Sequence, residues 1–338
     1  MSLDASNQQS TTPDTQAPEI TSGSIATNGQ DASSGLAAAS VEARIEDSGS
    51  GLNYGSLTYT SDLAPDQQTT IWLDRQKLVD GDNNDALYTS STTFHENAAS
   101  GQWSLSNGYI RDETGNGQNI DATWLANNGI TGLGSFQLLS SNPDINDPVL
   151  SKVILGSAVQ DSATGMFYIP VSVEASDNLS GIRNGNLLIT ESNSGQSLTT
   201  WFGDYNGSGS GTTADPFKTN FTLSEYAASG TWSLTNAWLE DEAGNHIHLW
   251  DTALTNFLNT SSSVGSVVIS NPNEDITDPA LQNIDLVAST TDDATGRALI
   301  TLDIAIDEQN AGFNYGWVYF QRLTEAALLT PTFMIQTS

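Results

Sequence analysis

Two acidic segments of this chain have the residue types and spacing of a cation site. One reads DINDP at 144–148 and the other DITDP at 275–279. Carboxylate, amide and carbonyl oxygens are the ligands that Ca²⁺ prefers, in sets of about six to eight. The proline that ends each segment fixes φ and holds the residue before it extended. We therefore expect bound Ca²⁺ at these segments, and a solvated linker of turn-forming residues is the alternative.

A third copy of the segment reads DTQAP at 14–18, with Ala17 where the other two copies have Asp. A site there is expected to be weaker or absent. Acids also recur four residues before a glycine, at Asp47, Asp177 and Glu308. Asp112 and Asp241 open the recurring sequences DETGN at 112–116 and DEAGN at 241–245. Each of these acids either contributes to a cation site or closes a tight turn through its carboxylate. The candidate metal ligands are Asp144, Asn146, Asp147, Asp275, Asp278, Asp47, Asp177, Asp112 and Asp241.

Other chemistries find little support in the sequence. The segment DGDNND at 80–85 starts like a calcium loop, but Asp85 replaces the expected glycine and Ser91 replaces the closing acid. The chain has only three histidines and no cysteine, so neither a zinc site nor a nucleophilic triad is indicated. A glycine-rich phosphate loop before a helix is also absent from the sequence. We expect a protein without catalytic residues.

The elements that must position these acids repeat along the chain. A shift of 129 residues carries Trp103 onto Trp232, Trp72 onto Trp201 and the DETGN segment onto DEAGN. Such a period indicates tandem modules. We expect the recurring tryptophans to be core residues. The four tryptophans that do not recur cleanly could instead form a stacking surface for sugars: Trp124, Trp238, Trp250 and Trp317.

The modules are expected to be all-β. Apolar and polar residues alternate in three equivalent segments, which begin at Val41, Val171 and Ile300. About seven short strands in about 125 residues is typical of an immunoglobulin-like, Greek-key β-sandwich. The sequence predicts a disordered segment at 1–16, then repeats at 17–143 and 144–272. A partial repeat at 273–338 departs from the pattern after about residue 322.

The charge balance excludes some partners. Nine Lys plus Arg face forty Asp plus Glu, a formal net charge of −31. Such a surface repels nucleic acids and anionic membranes. No run of apolar residues is as long as a membrane span, and the first sixteen residues are too polar for a signal peptide. We expect a secreted or surface segment of a longer protein, monomeric as an isolated fragment.

The DINDP segment and the Gly-x-Trp-Ser-Leu strands resemble sequences of known families. DINDP at 144–148 resembles the calcium-binding linker of cadherin repeats. The strand that contains Trp103 or Trp232, followed by Asp-x-x-Gly-Asn, resembles the immunoglobulin-like repeats of large bacterial surface and biofilm adhesins. The resemblance implies an extracellular stalk that Ca²⁺ stiffens and that presents a cell-surface or glycan ligand-binding region. The alternative is a carbohydrate-binding accessory region of a secreted enzyme.

Overall fold

The fold is all-β, as the alternation predicts. The computed structural model describes residues 14–204, 206–291, 298–308, 310–312, 315–319 and 332–336. Among these residues, antiparallel strands dominate and two short helices interrupt them. No helix in the described ranges is long and apolar enough to cross a membrane. Most of the segment predicted to be disordered at 1–16, and most of the predicted divergence after 322, lie outside the described residues.

The first module has nine strands, and in several of the longer ones buried residues alternate with more exposed ones. They are β1 Glu19–Thr27, β2 Ala38–Glu46, β3 Leu52–Ser61, β4 Gln68–Asp74, β5 Leu78–Gly81, β6 Asp85–Thr93, β7 Gly101–Asp112, β8 Gly117–Ile120 and β9 Ser135–Leu138. One sheet has the order β1-β2-β6-β5 and the other β4-β3-β7-β8, with β9 also paired to β7. The apolar faces of these strands form one continuous core.

An aromatic cluster forms the centre of this core. Trp103 is buried, and its ring centroid lies 5.2 Å from that of Phe94 and 6.1 Å from that of Phe136. Its indole N–H donates to the carbonyl of Ala99 at 3.1 Å, so burial leaves no polar atom of the ring unsatisfied. In the second module Trp232 is buried likewise and donates to the Ala228 carbonyl at 3.0 Å. The prediction that this recurring pair is core is confirmed.

The other recurring pair is not core, and that prediction is wrong. Trp72 and Trp201 are 55% and 40% exposed. In strand β4 the residues on either side of Trp72, Ile71 and Leu73, are buried. Since successive side chains of a strand point to opposite faces, Trp72 must lie on the outer face. Three consecutive apolar residues left the alternation ambiguous, and recurrence alone does not indicate burial.

The second module repeats this plan in chain order. Its strands are β10 Val149–Leu155, β11 Val159–Gln160, β12 Phe167–Ser176, β13 Ile182–Glu191, β14 Ser197–Gly203, β15 Phe217–Leu223, β16 Gly230–Asp241, β17 His246–Trp250 and β18 Ser266–Ile269. The sheet orders are β10-β12-β11, with β15 paired to β12, and β14-β13-β16-β17, with β18 paired to β16. Beyond it lie the antiparallel pairs β19 Ala280–Thr291 with β20 Ala298–Asp307, and β21 Tyr315–Tyr319 with β22 Thr332–Gln336.

Two helices were not expected from the sequence. Helix α1 spans Ala122–Asn127 and α2 spans Asp251–Thr260. The Asp121 side chain caps α1 by accepting the Trp124 N–H at 2.7 Å. Each helix buries a single side chain, Leu125 or Leu254, so neither has an apolar stripe that a helical period could reveal. Trp124, considered above for sugar stacking, packs partly buried against the core.

The chain divides into two compact units that cut across the sequence repeats. The first contains Met1–Ser151, Ala175–Gly185 and Trp238–His248. The second contains Lys152–Glu174, Asn186–Ala237 and Leu249–Ser338. The first unit therefore includes the DINDP segment together with the two later segments that carry Asp177 and Asp241, and the candidate site lies within it.

Candidate metal centre

Three carboxylates of the first unit converge on one point. Oxygen atoms of Asp144, Asp177 and Asp241 lie within 4.8 Å of one another. Asp144 belongs to the DINDP segment, Asp177 follows strand β12 directly, and Asp241 ends strand β16. Asp144 and Asp241 are fully buried. The structure thus brings together three of the residues that the sequence singled out from separate segments.

Backbone N–H groups hold the first two carboxylates in place. Asp144 accepts the Asn146 N–H at 3.2 Å and, through its other oxygen, the Ser180 N–H at 2.8 Å. One oxygen of Asp177 accepts the N–H groups of Leu179 and Gly181 at 2.8 and 2.9 Å. The other oxygen, Oδ1, is buried and accepts no hydrogen bond. A buried carboxylate oxygen without a donor is costly, and a cation would satisfy it.

The third carboxylate closes a tight turn. Asp241 Oδ1 accepts the N–H groups of Gly244 and Asn245 at 2.7 and 2.9 Å, and Oδ2 accepts the Asn245 side-chain amide at 2.7 Å. Gly244 has a φ of +97°, a conformation that favours glycine. The turn interpretation of the Asp-x-x-Gly-Asn sequence therefore holds. The same carboxylate also belongs to the acidic cluster, so the two interpretations are compatible.

The electrostatics of the cluster reflect burial and mutual repulsion. The pKa of Asp241 is raised to about 6, mainly by burial and to a smaller extent by the charge of Asp144, against the lowering effect of the hydrogen bonds from Asn245 and Gly244. At Asp177 burial also acts to raise the pKa, but the N–H groups of Gly181 and Leu179 outweigh it and the net shift is downward. At neutral pH the cluster therefore concentrates negative charge in a water-poor site.

The backbone of Asp144 is fixed by a second set of residues. Its N–H donates to the Asn97 carbonyl at 2.8 Å, and its own carbonyl accepts the Gln67 side-chain amide at 2.5 Å. Gln67 is buried, and it also donates to the Asn245 side chain at 2.9 Å and accepts the Ala99 N–H at 2.7 Å. Sequence reasoning missed Gln67.

A signal for Gln67 existed in the repeat. The shift of 129 carries it onto Gln196, whose amide donates to the carbonyl of Asp275 at 2.6 Å and whose oxygen accepts the Ala228 N–H at 2.9 Å. Asp275 is the first residue of the DITDP segment. In both copies, a recurring glutamine holds the backbone of the first acid of the segment, so its recurrence marks a structural role.

The N-terminal segment forms a second cluster of the same construction. Oxygens of Asp14, Asp47 and Asp112 also lie within 4.8 Å of one another. Ser50 N–H donates to Asp14 at 2.8 Å, the same contact that Ser180 makes with Asp144. Asp47 is 5% exposed and its Oδ1 has no hydrogen-bond partner. Asp14 was not among the predicted ligands, yet it occupies the position that Asp144 has in the other cluster.

The third segment shows part of the arrangement. The carboxylate of Asp275 accepts the N–H and hydroxyl of Thr277, at 3.0 and 2.6 Å, and the N–H of Ala311 at 3.1 Å. These hydrogen bonds, the Thr277 hydroxyl foremost, lower the pKa of Asp275 to about 2. Among the described residues Asp275 belongs to no group of three ligating side chains.

Two predicted ligands, Asp147 and Asp278, belong to neither cluster among the described residues. Asn146 donates its backbone N–H to Asp144, and a ligand role for its side chain stays a prediction. Burial raises the pKa of Asp147; the Asp66 charge adds to this and His246 opposes it. The fourth position of the segment, where the N-terminal copy has Ala17, is therefore not the one that builds the cluster.

Comparison with known proteins gives few points of reference. A family model described as a domain of unknown function, DUF7035, matches residues 13–142. No curated protein matches the chain. The chain is similar to a crystal structure of a tetra-tandem repeat in the extending region of a large adhesion protein, at 11% identity and a TM-score of 0.23, over 93% of this chain and 74% of that one.

A second similar structure is an adhesin from Mobiluncus mulieris that contains intramolecular disulfide, isopeptide and ester cross-links. It is 7% identical with a TM-score of 0.20, over 85% of this chain and 93% of that one. At such TM-scores the similarities do not establish a shared architecture.

Proposed function

We propose that this chain is an adhesin-like stalk segment of an extracellular protein, in which Ca²⁺ bound by the two acidic clusters fixes each module to the segment that precedes it. The observation that supports the proposal is the convergence of Asp144, Asp177 and Asp241, with an unpartnered buried oxygen on Asp177. Ca²⁺ binds such oxygen sets and accepts water for the remaining positions. Asp14, Asp47 and Asp112 would hold a second ion in the same way.

The ion would act through Asp144, which already contacts residues on both sides of the DINDP segment. The backbone of Asp144 is tied to Asn97 and Gln67, whereas its carboxylate is tied to the loop at Ser180. A cation shared by Asp144, Asp177 and Asp241 would join those two sets of contacts and offset three like charges. Without the ion, repulsion among the carboxylates would loosen the loops that carry them. The function is mechanical: to hold an attached domain at a distance.

The test is calorimetric titration of the full chain with Ca²⁺, together with thermal unfolding in Ca²⁺ and in EDTA. Two ions per chain are expected, and Asp177→Asn should remove one. A ligand that binds only the folded state at about a hundredfold excess over Kd stabilises it by about 2.7 kcal/mol, so Ca²⁺ should raise the melting temperature.

Asp147→Asn is the matched control, because Asp147 belongs to the same segment but lies outside the cluster. It should leave both the stoichiometry and the effect of Ca²⁺ on melting unchanged. No heat of binding and no effect of Ca²⁺ on the melting temperature would reject the ion-locked mechanism. Equal losses in Asp147→Asn and Asp177→Asn would reject the assignment of the site.

A further inference from the structure

The recurring pair of exposed tryptophans, Trp72 and Trp201, occupies the same place in each module. Trp72 lies in β4, the edge strand of the sheet β4-β3-β7-β8, and Trp201 lies in β14, the edge strand of β14-β13-β16-β17. Each is the fifth residue of a seven-residue strand with the same order of buried and exposed positions at its end. A large aromatic side chain that recurs on a solvent-exposed face serves something other than the core.

In the first module, strand register puts Trp72 in a row of four residues. Trp72 pairs with Ser56, Ser56 pairs with Tyr109, and Tyr109 pairs with Asn119. Directly opposed residues share a face of the sheet, and neighbouring strands are about 4.8 Å apart, so Trp72 and Tyr109 stand on strands about 9.6 Å apart. The ring of Tyr54 lies 6.0 Å from that of Tyr109. The face therefore carries three aromatic side chains bordered by hydroxyl and amide groups, and the rings of Tyr54 and Tyr109 are tilted by 47° to each other.

This face is electrically neutral although the chain carries a net charge of −31. The row on one side of Trp72 pairs Asp74 with Tyr54 and Tyr54 with Arg111, so its two charges are opposite. The row on the other side consists of Thr70, Thr58 and Asn107, joined through a 2.8 Å hydroxyl contact between the threonines. The molecule places its negative charge elsewhere, so the face suits a ligand without charge.

We propose that the outer face of strands β4, β3 and β7 binds an extended neutral polysaccharide, whose sugar rings stack on Trp72 and Tyr109. The apolar faces of pyranose rings pack against aromatic rings by dispersion and burial of C–H groups. Sugar hydroxyls find partners in Ser56, Thr70 and Asn107. Acidic polysaccharides are excluded, because the field of the whole chain repels them.

The sequence repeats the aromatic pair. The shift of 129 carries Trp72 onto Trp201 and Tyr109 onto Trp238, so both modules supply an aromatic residue at both positions. A second exposed stacking residue on the same chain, Trp201, raises the effective affinity for a polymer long enough to contact it as well as Trp72. Binding of a long chain is therefore expected to exceed binding of a short oligosaccharide. The inference does not depend on the acidic clusters.

The experiment is native affinity electrophoresis of the full chain in gels that contain hydroxyethylcellulose, barley β-glucan or galactomannan, with alginate as the acidic polymer. The unmodified protein should be retarded in at least one neutral gel and not in alginate. In nucleobase recognition, loss of one stacking contact lowers the affinity by about fivefold to over a hundredfold. Trp72→Ala/Trp201→Ala should therefore lower the association constant at least about tenfold.

Trp250→Ala is the matched control, because Trp250 is 57% exposed but lies at the end of strand β17, directly before helix α2, and outside the aromatic row. Retardation within about twofold of the unmodified protein is expected for this variant. Circular dichroism of the double variant should show an unchanged melting curve, which separates lost binding from lost folding. Absence of retardation in all three neutral gels, retention of binding by the double variant, or binding to alginate alone would overturn the proposal.

Discussion

Asp241 makes the stability of this protein depend on pH in a defined direction. Burial raises its pKa from 3.8 to about 6. A carboxyl whose pKa is higher in the folded state than in the unfolded state binds its proton more tightly when folded. Its contribution to stability is therefore complete below pH 3.8 and is lost as the pH rises through about 6. Without a cation, the titration of Asp241 should therefore lower the free energy of unfolding of the protein as the pH rises from 3.8 to about 6.

The magnitude follows from the two pKa values. Their difference is about 2, and each tenfold change in proton affinity is worth about 1.4 kcal/mol, so the loss amounts to about 3 kcal/mol between pH 4 and pH 7. The perturbation is Asp241→Asn, which keeps an oxygen to accept the N–H groups of Gly244 and Asn245 but cannot titrate. Any hydrogen bond lost to the substitution is the same at every pH.

The assay is urea unfolding in EDTA at several pH values from 4 to 7, with the unmodified protein and the variant measured side by side. The difference between their unfolding free energies should change by about 3 kcal/mol in favour of the variant as the pH rises. A difference that stays constant over this range would refute the assignment of a buried, titrating carboxylate to Asp241. In millimolar Ca²⁺ the proposed ion holds the ionised form, and the loss of stability with rising pH should shrink.

Four further substitutions test the packing, the segment contacts and one tight turn by urea unfolding followed by circular dichroism. Trp103→Ala should cost about 3–5 kcal/mol because it empties the aromatic core, whereas Trp72→Ala should change stability by less than about 1 kcal/mol. Gln67→Ala should cost about 1–3 kcal/mol, because the carbonyl of Asp144 and the N–H of Ala99 lose their buried partner. Gly81→Ala should cost about 1–3 kcal/mol or more, since Gly81 has a φ of +96° and a Cβ there would lie 2.1 Å from the carbonyl oxygen of Asp85.

Sequence periodicity predicted the all-β class and the buried Trp103 and Trp232, because strand alternation and repetition are both local properties of the chain. It also selected Asp144, Asp177 and Asp241 from three separate segments. It could not show that their side chains converge, since that depends on how three loops close.

Some sequence-based expectations rested on one residue of a motif. The N-terminal segment was expected to hold a weaker site or none because of Ala17, and this stays a prediction, but the residue that enters the cluster is the first one, Asp14. Asp147, which occupies the fourth position in the other copy, interacts electrostatically with Asp66 and His246 instead. Trp72 was assigned to the core because it recurs, although recurrence reflects any role that each module needs. Burial is decided by the strand face, which the run Ile71-Trp72-Leu73 does not reveal.

The pKa of Asp241 also bears on which positive species can neutralise the cluster. A proton on Asp241 would remove one of the three charges, and only at pH values below about 6, because above that value the carboxyl is ionised. At neutral pH the oxygens of Asp144, Asp177 and Asp241 lie within 4.8 Å of one another, and the backbone N–H groups that they accept supply partial charges only. Charges this close repel strongly in a buried site.

A divalent cation offsets them over the pH range in which a proton cannot, and below about pH 6 the proton competes with the cation for the same oxygens. Ca²⁺ affinity of the unmodified protein should therefore fall on acidification through pH 6, and less so in Asp241→Asn, because that variant has no proton to release at this position.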